Sequence, residues 1–226
     1  MNPFIRYLCC MRDVSDRIQH LRDDFTKFEL TEETAGLQPF ALFETWMHQA
    51  LDAEVNEPQA MGLSTVSASG RVSSRMVYLR LAQNHCFGFY GNYQSLKGQH
   101  IKAHNRAALL FFWPELQRQI RIEGLITQMA PSDSAAYFKE RPRSSQLGAW
   151  ASPQSAVLKN RSELDHILKE VNERFKNQAV PCPEFWGGWI LTADYYEFWQ
   201  GRPSRLHDRI IFERSAEQWL RQRIAP

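Results

Sequence analysis

The sequence predicts an α+β fold: a mostly antiparallel sheet curled into a barrel, with helices at its periphery. Three observations lead there. From Ala60 onward the apolar residues recur mainly at period two, as in strands buried on one face. Helical spacing is confined to residues 15–55 and to short insertions between the strands. No Gly-rich loop joins a strand to a helix, which removes the dinucleotide-binding and P-loop folds.

Taken in order, Ile18, Leu21, Phe25 and Phe28 are spaced for a helix over 15–29, with Ser15 as its N-cap. The polar stretch Thr31 to Gln38 breaks it. Pro39 then opens a second helix reaching about Val55, whose apolar stripe is Phe40, Phe43, Trp46, Met47 and Leu51. Met61–Ala68 and Val72–Leu81 form a hairpin about the turn Ala68-Ser69-Gly70-Arg71. Cys86–Gly91 is a short strand, and Ser95 caps a helix reaching His104. Ala107–Trp113 is almost wholly apolar, the pattern of a strand buried on both faces. A longer alternating strand covers Arg118–Met129. Helices follow at about Asp133–Arg141 and Ser162–Lys176, joined by a stretch rich in Pro and Ser, and strands resume at Trp186. Residues 1–14 read as a leader or disordered arm and 15–226 as one domain, with 15–56 supplying the N-terminal helices.

A chain of 226 residues is long enough to bury roughly 70% of its unfolded surface. Its net charge of +2 is too small for a nucleic-acid surface. No apolar run is long enough to span a bilayer. Cys9, Cys10, Cys86 and Cys182 include no C-x-x-C pair, which suits a reduced, cytoplasmic protein rather than a disulfide framework. Seven Trp within 12% aromatic content point to a packed core or to flat surfaces that receive a ring-shaped ligand.

Four constellations could carry chemistry. In Arg205-Leu206-His207-Asp208-Arg209 an extended strand would put Arg205, His207 and Arg209 on one face, a cationic surface that suits an anion and equally a solvated edge. Tyr137, Arg141 and Ser145 fall at successive offsets of four. Pro142 interrupts that run, so Ser145 belongs to the start of the next helix, and the three can cradle a phosphate or simply face solvent. On the hairpin, alternation puts Arg75 and Arg80 on opposite faces, so a shared site would need a bulge or a second subunit. Tyr90-Gly91-Asn92 with Ser95-Leu96-Lys97 joins a strand end, a glycine that admits close approach and a helix start carrying Lys. His100 and His104 share a helix face without a third ligand near in sequence, and two solvated histidines describe them better than a zinc site.

In order along the chain, these segments resemble the pyridoxamine (pyridoxine) 5′-phosphate oxidase family. The resemblance rests on Arg141-Pro142-Arg143-Ser144-Ser145-Gln146-Leu147-Gly148-Ala149-Trp150 with Gln154-Ser155, on Phe185-Trp186-Gly187-Gly188, and on Glu197-Phe198-Trp199-Gln200-Gly201 with Arg205 to Arg209. It extends from about Leu21 to Pro226. It implies an FMN-binding split β-barrel, a homodimer with FMN at the subunit interface, and oxidation of pyridoxamine or pyridoxine 5′-phosphate to pyridoxal 5′-phosphate by O₂. Carried over by position, it assigns FMN to Arg75, Arg80, Tyr90, Gly91, Lys97, Gln119, Gln154, Ser155, Trp199 and Arg209. The substrate phosphate falls to Tyr137, Arg141 and Ser145 with Arg80 nearby. Arg205 and His207 would face the reacting ring as the catalytic pair, and Arg22 would close over it.

Three positions depart from the family pattern. Arg80 stands where Lys is usual, Phe25 where a Tyr hydroxyl is usual in the lid, and Leu96 where an Arg contacts the FMN phosphate. The last leaves Lys97 without that cationic neighbour and implies weaker FMN retention. The departures also suit a non-catalytic FMN- or pyridoxal-phosphate-binding protein on the same scaffold, although such a carrier would have no use for a second phosphate cradle. A flavin reductase on this scaffold would be expected to lack both the Arg141–Ser145 segment and the C-terminal Arg-x-His.

Overall fold

Alternation of buried and exposed side chains builds a single antiparallel sheet. The computed structural model describes Ile18 and residues 24–226. Among the described residues there are six helices, α1 (Glu32–Ala35), α2 (Pro39–Asp52), α3 (Leu96–Ala103), α4 (Pro131–Glu140), α5 (Arg143–Ala151) and α6 (Arg161–Arg174). The nine strands are β1 (Ala60–Val66), β2 (Val72–Tyr78), β3 (Leu81–Gln83), β4 (Cys86–Asn92), β5 (Arg106–Trp113), β6 (Arg118–Gln128), β7 (Trp186–Gln200), β8 (Asp208–Ser215) and β9 (Gln218–Arg223). The sheet order is β2-β1-β5-β6-β7-β4-β3.

The long strand β7 makes the barrel branch. One of its edges pairs with β6 along its length. On the other, Trp186–Thr192 pairs with β4 while Tyr195–Gln200 pairs with β8. At the far end the sheet curls back, and the Arg80 N–H donates to Gly88 O at 2.8 Å just beyond the edge strand β2. A cleft is left between the β2 edge and β4.

Inward-facing residues of β4, β5, β7 and β8 fill the barrel with rings, among them Phe87, Phe111, Trp113, Trp189, Tyr196, Phe198 and Phe212, all at most 1% exposed, and β1 and β6 add aliphatic side chains such as Leu63 and Ile120. Helix α2, with Pro39 at its first turn, closes one side with Leu42, Phe43, Trp46 and Ala50. Leu51, expected in that stripe, faces solvent instead. A smaller core forms where α4, α5 and α6 pack Phe138, Leu147, Ala151, Val171 and Phe175 around Trp186. No helix among the described residues is long and apolar enough to cross a membrane.

Other expectations need correction. β5 is not buried on both faces: Leu109, Phe111 and Trp113 point inward, while Leu110 and Phe112 are 39% and 57% exposed. The strand has the barrel on one side only, and its outer face is bare in the single chain. Of the helix expected over 15–29, residues 24–29 carry no regular secondary structure. They are held by the barrel instead, Thr26 and Lys27 donating their N–H groups to Gln117 Oε1 and Arg202 donating to Phe28 O. The leader 1–14 and Arg22 lie outside the described residues. His100 is 5% exposed rather than solvated, its Nδ1 3.2 Å from Thr65 Oγ1.

Candidate active site

The cleft between β2 and β4 widens into a cavity of about 1010 Å³, closed on its far side by α4, α5 and the loop after α5. Ten of the expected residues line it: Arg75, Arg80, Tyr90, Gly91, Lys97, Tyr137, Arg141, Ser145, Gln154 and Ser155. Arg75 and Arg80 share it with neither a bulge nor a second subunit. The cavity runs along the free edge of β2 and so meets side chains from both faces, and the chain leaves β2 at Tyr78 to pair with Gly88.

Each cation is positioned locally. Arg75 Nη1 donates to Leu63 O, Ser73 O and Thr65 Oγ1 at 2.7–2.9 Å, and His100 backs Thr65 from inside. Ser95 caps α3 by accepting from the Gly98 N–H. One residue into that helix's first turn, the buried Lys97 donates Nζ to Ser95 Oγ at 3.1 Å and to Gln154 Oε1 at 2.5 Å. A Cβ on Gly91 would lie 2.9 Å from Lys97 Cε, so this glycine makes room for the lysine stem. Burial, then the charge of Arg75, push Lys97 down to about 8. Lys97 therefore keeps a cationic neighbour despite Leu96.

At the other end of the cavity Arg141 terminates α4, and Pro142 precedes α5, with Ser145 in that helix's first turn. The Arg141 guanidinium lies 4.7 Å from the Trp186 ring centroid, and its buried Nη1 has no hydrogen-bond partner. Burial lowers its proton affinity, and the charge of Arg80 adds to that. Beside it Tyr137 stacks on Tyr90 at 3.9 Å, and both rings are parallel to Trp186 within 8°. Among the described residues none of Arg75, Arg80, Lys97 and Arg141 is paired with a carboxylate. Among the described residues Glu140 is the one acidic residue lining the cavity. Four cations around one cavity call for anionic ligands.

The remaining expected residues, Gln119, Trp199, Arg205, His207 and Arg209, form a second cluster away from this cavity. Register explains it. Phe112 pairs with Gln119, Gln119 with Trp199 and Trp199 with Arg209, one row across β5, β6, β7 and β8. Directly opposed residues share a face, so this row lies on the outer face of the sheet. The next row, Met76, Gly62, Leu110, Arg121 and Glu197, runs from the cavity rim across the same face.

Arg205 is not on a strand. It sits in a short 3₁₀ turn, Pro203–Arg205, at φ 62°, and β8 begins only at Asp208, so strand alternation does not align it with His207 and Arg209. His207 Nδ1 accepts from the Arg202 N–H at 3.1 Å, which leaves the hydrogen of the neutral ring on Nε2. Burial, then Arg205, lower the imidazole's proton affinity. Phe25 packs edge-on against Trp199 and His207 at 5.7 and 5.5 Å, so tightly that a Cβ on Gly201 would meet it at 2.7 Å. Arg209 is committed to Glu197, with Nε and Nη2 at 2.8 and 2.7 Å from Oε1. Glu197, 2% exposed, also holds Arg121 at 3.0 Å. On sequence alone Glu197 stands in the Glu197–Gly201 segment without a role, and Arg121 is not singled out. Period two from Trp199 marks Glu197 as its same-face neighbour, but only the β6–β7 register adds Arg121.

Residues 47–175 match the family model described as pyridoxamine 5′-phosphate oxidase. The chain belongs to the pyridoxamine 5′-phosphate oxidase family. Residues 186–226 match a second model, the pyridoxine 5′-phosphate oxidase C-terminal dimerisation region, which supports a homodimer. A pyridoxine/pyridoxamine 5′-phosphate oxidase of Ectopseudomonas mendocina is 46% identical over 94% of this chain and all of its own length. One of Synechocystis is 48% identical, over 91% of this chain and 96% of its own. Among solved structures, PhzG from Burkholderia lata, in complex with tetrahydrophenazine-1-carboxylic acid, superposes with a TM-score of 0.81. It is 28% identical and covers 87% of this chain and 98% of its own. With these relatives the curled sheet is the split barrel of the pyridoxamine 5′-phosphate oxidase family.

Proposed function

We propose that this chain, as a homodimer, oxidises pyridoxamine 5′-phosphate and pyridoxine 5′-phosphate to pyridoxal 5′-phosphate with FMN as cofactor and O₂ as acceptor. The alcohol and O₂ give aldehyde and hydrogen peroxide; the amine, O₂ and water give aldehyde, ammonia and hydrogen peroxide. The product places the reaction in vitamin B6 biosynthesis and salvage. The observation that carries the reading is a cavity large enough for two phosphorylated ligands, whose four cations form no ion pair with a carboxylate among the described residues.

The residues present fit FMN. Lys97, buried and with its pKa lowered to about 8, holds its charge more firmly beside an anion, and Arg75, Gln154 and Ser155 surround that position. Arg141, with its orphaned Nη1, suits the second phosphate together with Arg80, Tyr137 and Ser145. FMN, when bound, supplies the acceptor for the hydride leaving the substrate carbon and returns the electrons to O₂. The protein's part is to hold two flat ligands at reacting distance and to exclude water.

The second cluster completes the site from the partner subunit. The bare apolar residues Met76, Leu110 and Phe112 and the Gln119–Trp199–Arg209 row occupy one outer face, and the cavity opens at its edge. A two-fold interface over that face is self-complementary and can bring the row of one subunit to the cavity of the other. Arg205 and His207 would then lie against the substrate ring, and Arg209, oriented by Glu197, against FMN.

FMN-loaded protein given pyridoxine 5′-phosphate in air is expected to form pyridoxal 5′-phosphate and peroxide in equal amounts. With pyridoxamine 5′-phosphate and no oxygen the flavin spectrum should bleach; no aldehyde and no bleaching would reject the reading. Leu96, 45% exposed at the cavity wall, offers a further check. One added charge-assisted hydrogen bond in Leu96→Arg should tighten FMN roughly 10-fold. Equal affinities in a fluorescence titration would show that Arg75 already supplies what Leu96 lacks.

A further inference from the structure

Resting on that reading, we infer that Tyr78, tethered by Glu57, is a positioning residue that sets the plane of Arg80 for the substrate phosphate. The Arg80 guanidinium carbon lies 5.2 Å from the Tyr78 ring centroid, and both residues line the cavity. Tyr78 O–H donates to Glu57 Oε1 at 2.5 Å, which fixes the ring. Glu57 is itself fixed: it sits at φ 49°, a left-handed conformation unfavourable for a side chain of its kind, and its carbonyl accepts from the Ala60 N–H at 2.8 Å.

The guanidinium lies against the ring, and the edge that carries its N–H donors has no protein acceptor among the described residues. That edge is what a phosphate engages in two parallel hydrogen bonds. Arg80 lies close enough to Arg141 for the two charges to repel, so an anion between them relieves both. The arrangement also gives a reason for arginine where the family usually has lysine. A planar group on a ring has a defined direction, whereas an ammonium on a flexible stem has none.

A double-mutant cycle read by equilibrium binding tests this. The probe is pyridoxal 5′-phosphate, titrated spectroscopically into FMN-loaded protein. Tyr78→Leu should weaken binding ~2- to 5-fold, the size of an exposed cation–ring contact. In an Arg80→Ala background the same change should have no effect. Tyr78→Phe, which keeps the ring and loses the tether, should fall between. In turnover the Tyr78→Leu defect should appear in KM with kcat unchanged. Equal weakening by Tyr78→Leu in both backgrounds would overturn the positioning role and leave the proposed reaction standing. Absence of pyridoxal 5′-phosphate binding by the parent protein would overturn both.

Discussion

Lys97→Met is expected to loosen FMN by roughly 10- to 100-fold, the cost of removing a buried charge-assisted hydrogen bond. The replacement keeps an unbranched stem beside Gly91 and should leave the fold intact. The same lysine sets a pH dependence. In the free protein its pKa is about 8, below its ordinary 10.5, because burial and Arg75 disfavour the charge. Below pH 8 the folded chain carries that buried charge at full cost. Between 8 and 10.5 the unfolded chain holds a proton that the folded chain has released, so stability of the ligand-free protein rises with pH across this window. FMN affinity runs the opposite way. The anion favours protonated Lys97, so above about pH 8 binding should weaken by up to ~10-fold per pH unit. Titrations by flavin fluorescence at pH 7, 8 and 9 should show this slope in the parent and a flat profile in Lys97→Met. A flat parent profile, or unchanged affinity in the variant, would remove Lys97 from the FMN site.

Much of the fold was legible because one-sided burial writes itself into the sequence as period two. The hairpin at Gly70, the Ser95 cap and the break at Pro142 each rest on local chemistry, and each stands in the structure. β5 misled because Leu110 and Phe112 are apolar and yet exposed on the outer face. Periodicity cannot tell a strand buried in a barrel from one kept apolar for a partner. The Arg205–Arg209 segment misled differently. Pro203 starts a 3₁₀ turn, and Arg205 leaves the extended region altogether.

Ten of the expected residues meet in one cavity, but the geometry that gathers them there was not legible in the sequence. Arg75 and Arg80 reach one cavity because β2 is an edge strand, a fact of sheet order rather than of alternation. Glu197 stands in the segment that carries the resemblance but takes no role from it, because its worth lies in the register that sets it between Arg121 and Arg209. Tyr78 escaped notice because its partner Glu57 lies across the β1–β2 pair, in the turn that leads into β1.

Hybrid dimers test most directly whether each site is built from two subunits. Arg141→Ala damages the cavity, whereas Arg205→Ala with His207→Ala damages the second cluster, and each homodimer should be nearly inactive at low substrate. Co-expressed with different tags and purified through both, the hybrid dimer would carry both lesions in one site and neither in the other. It should recover roughly half of the parent activity, as two-fold symmetry requires of a shared site. A hybrid no more active than the two damaged homodimers would mean that each site is built within one chain, and would contradict the account.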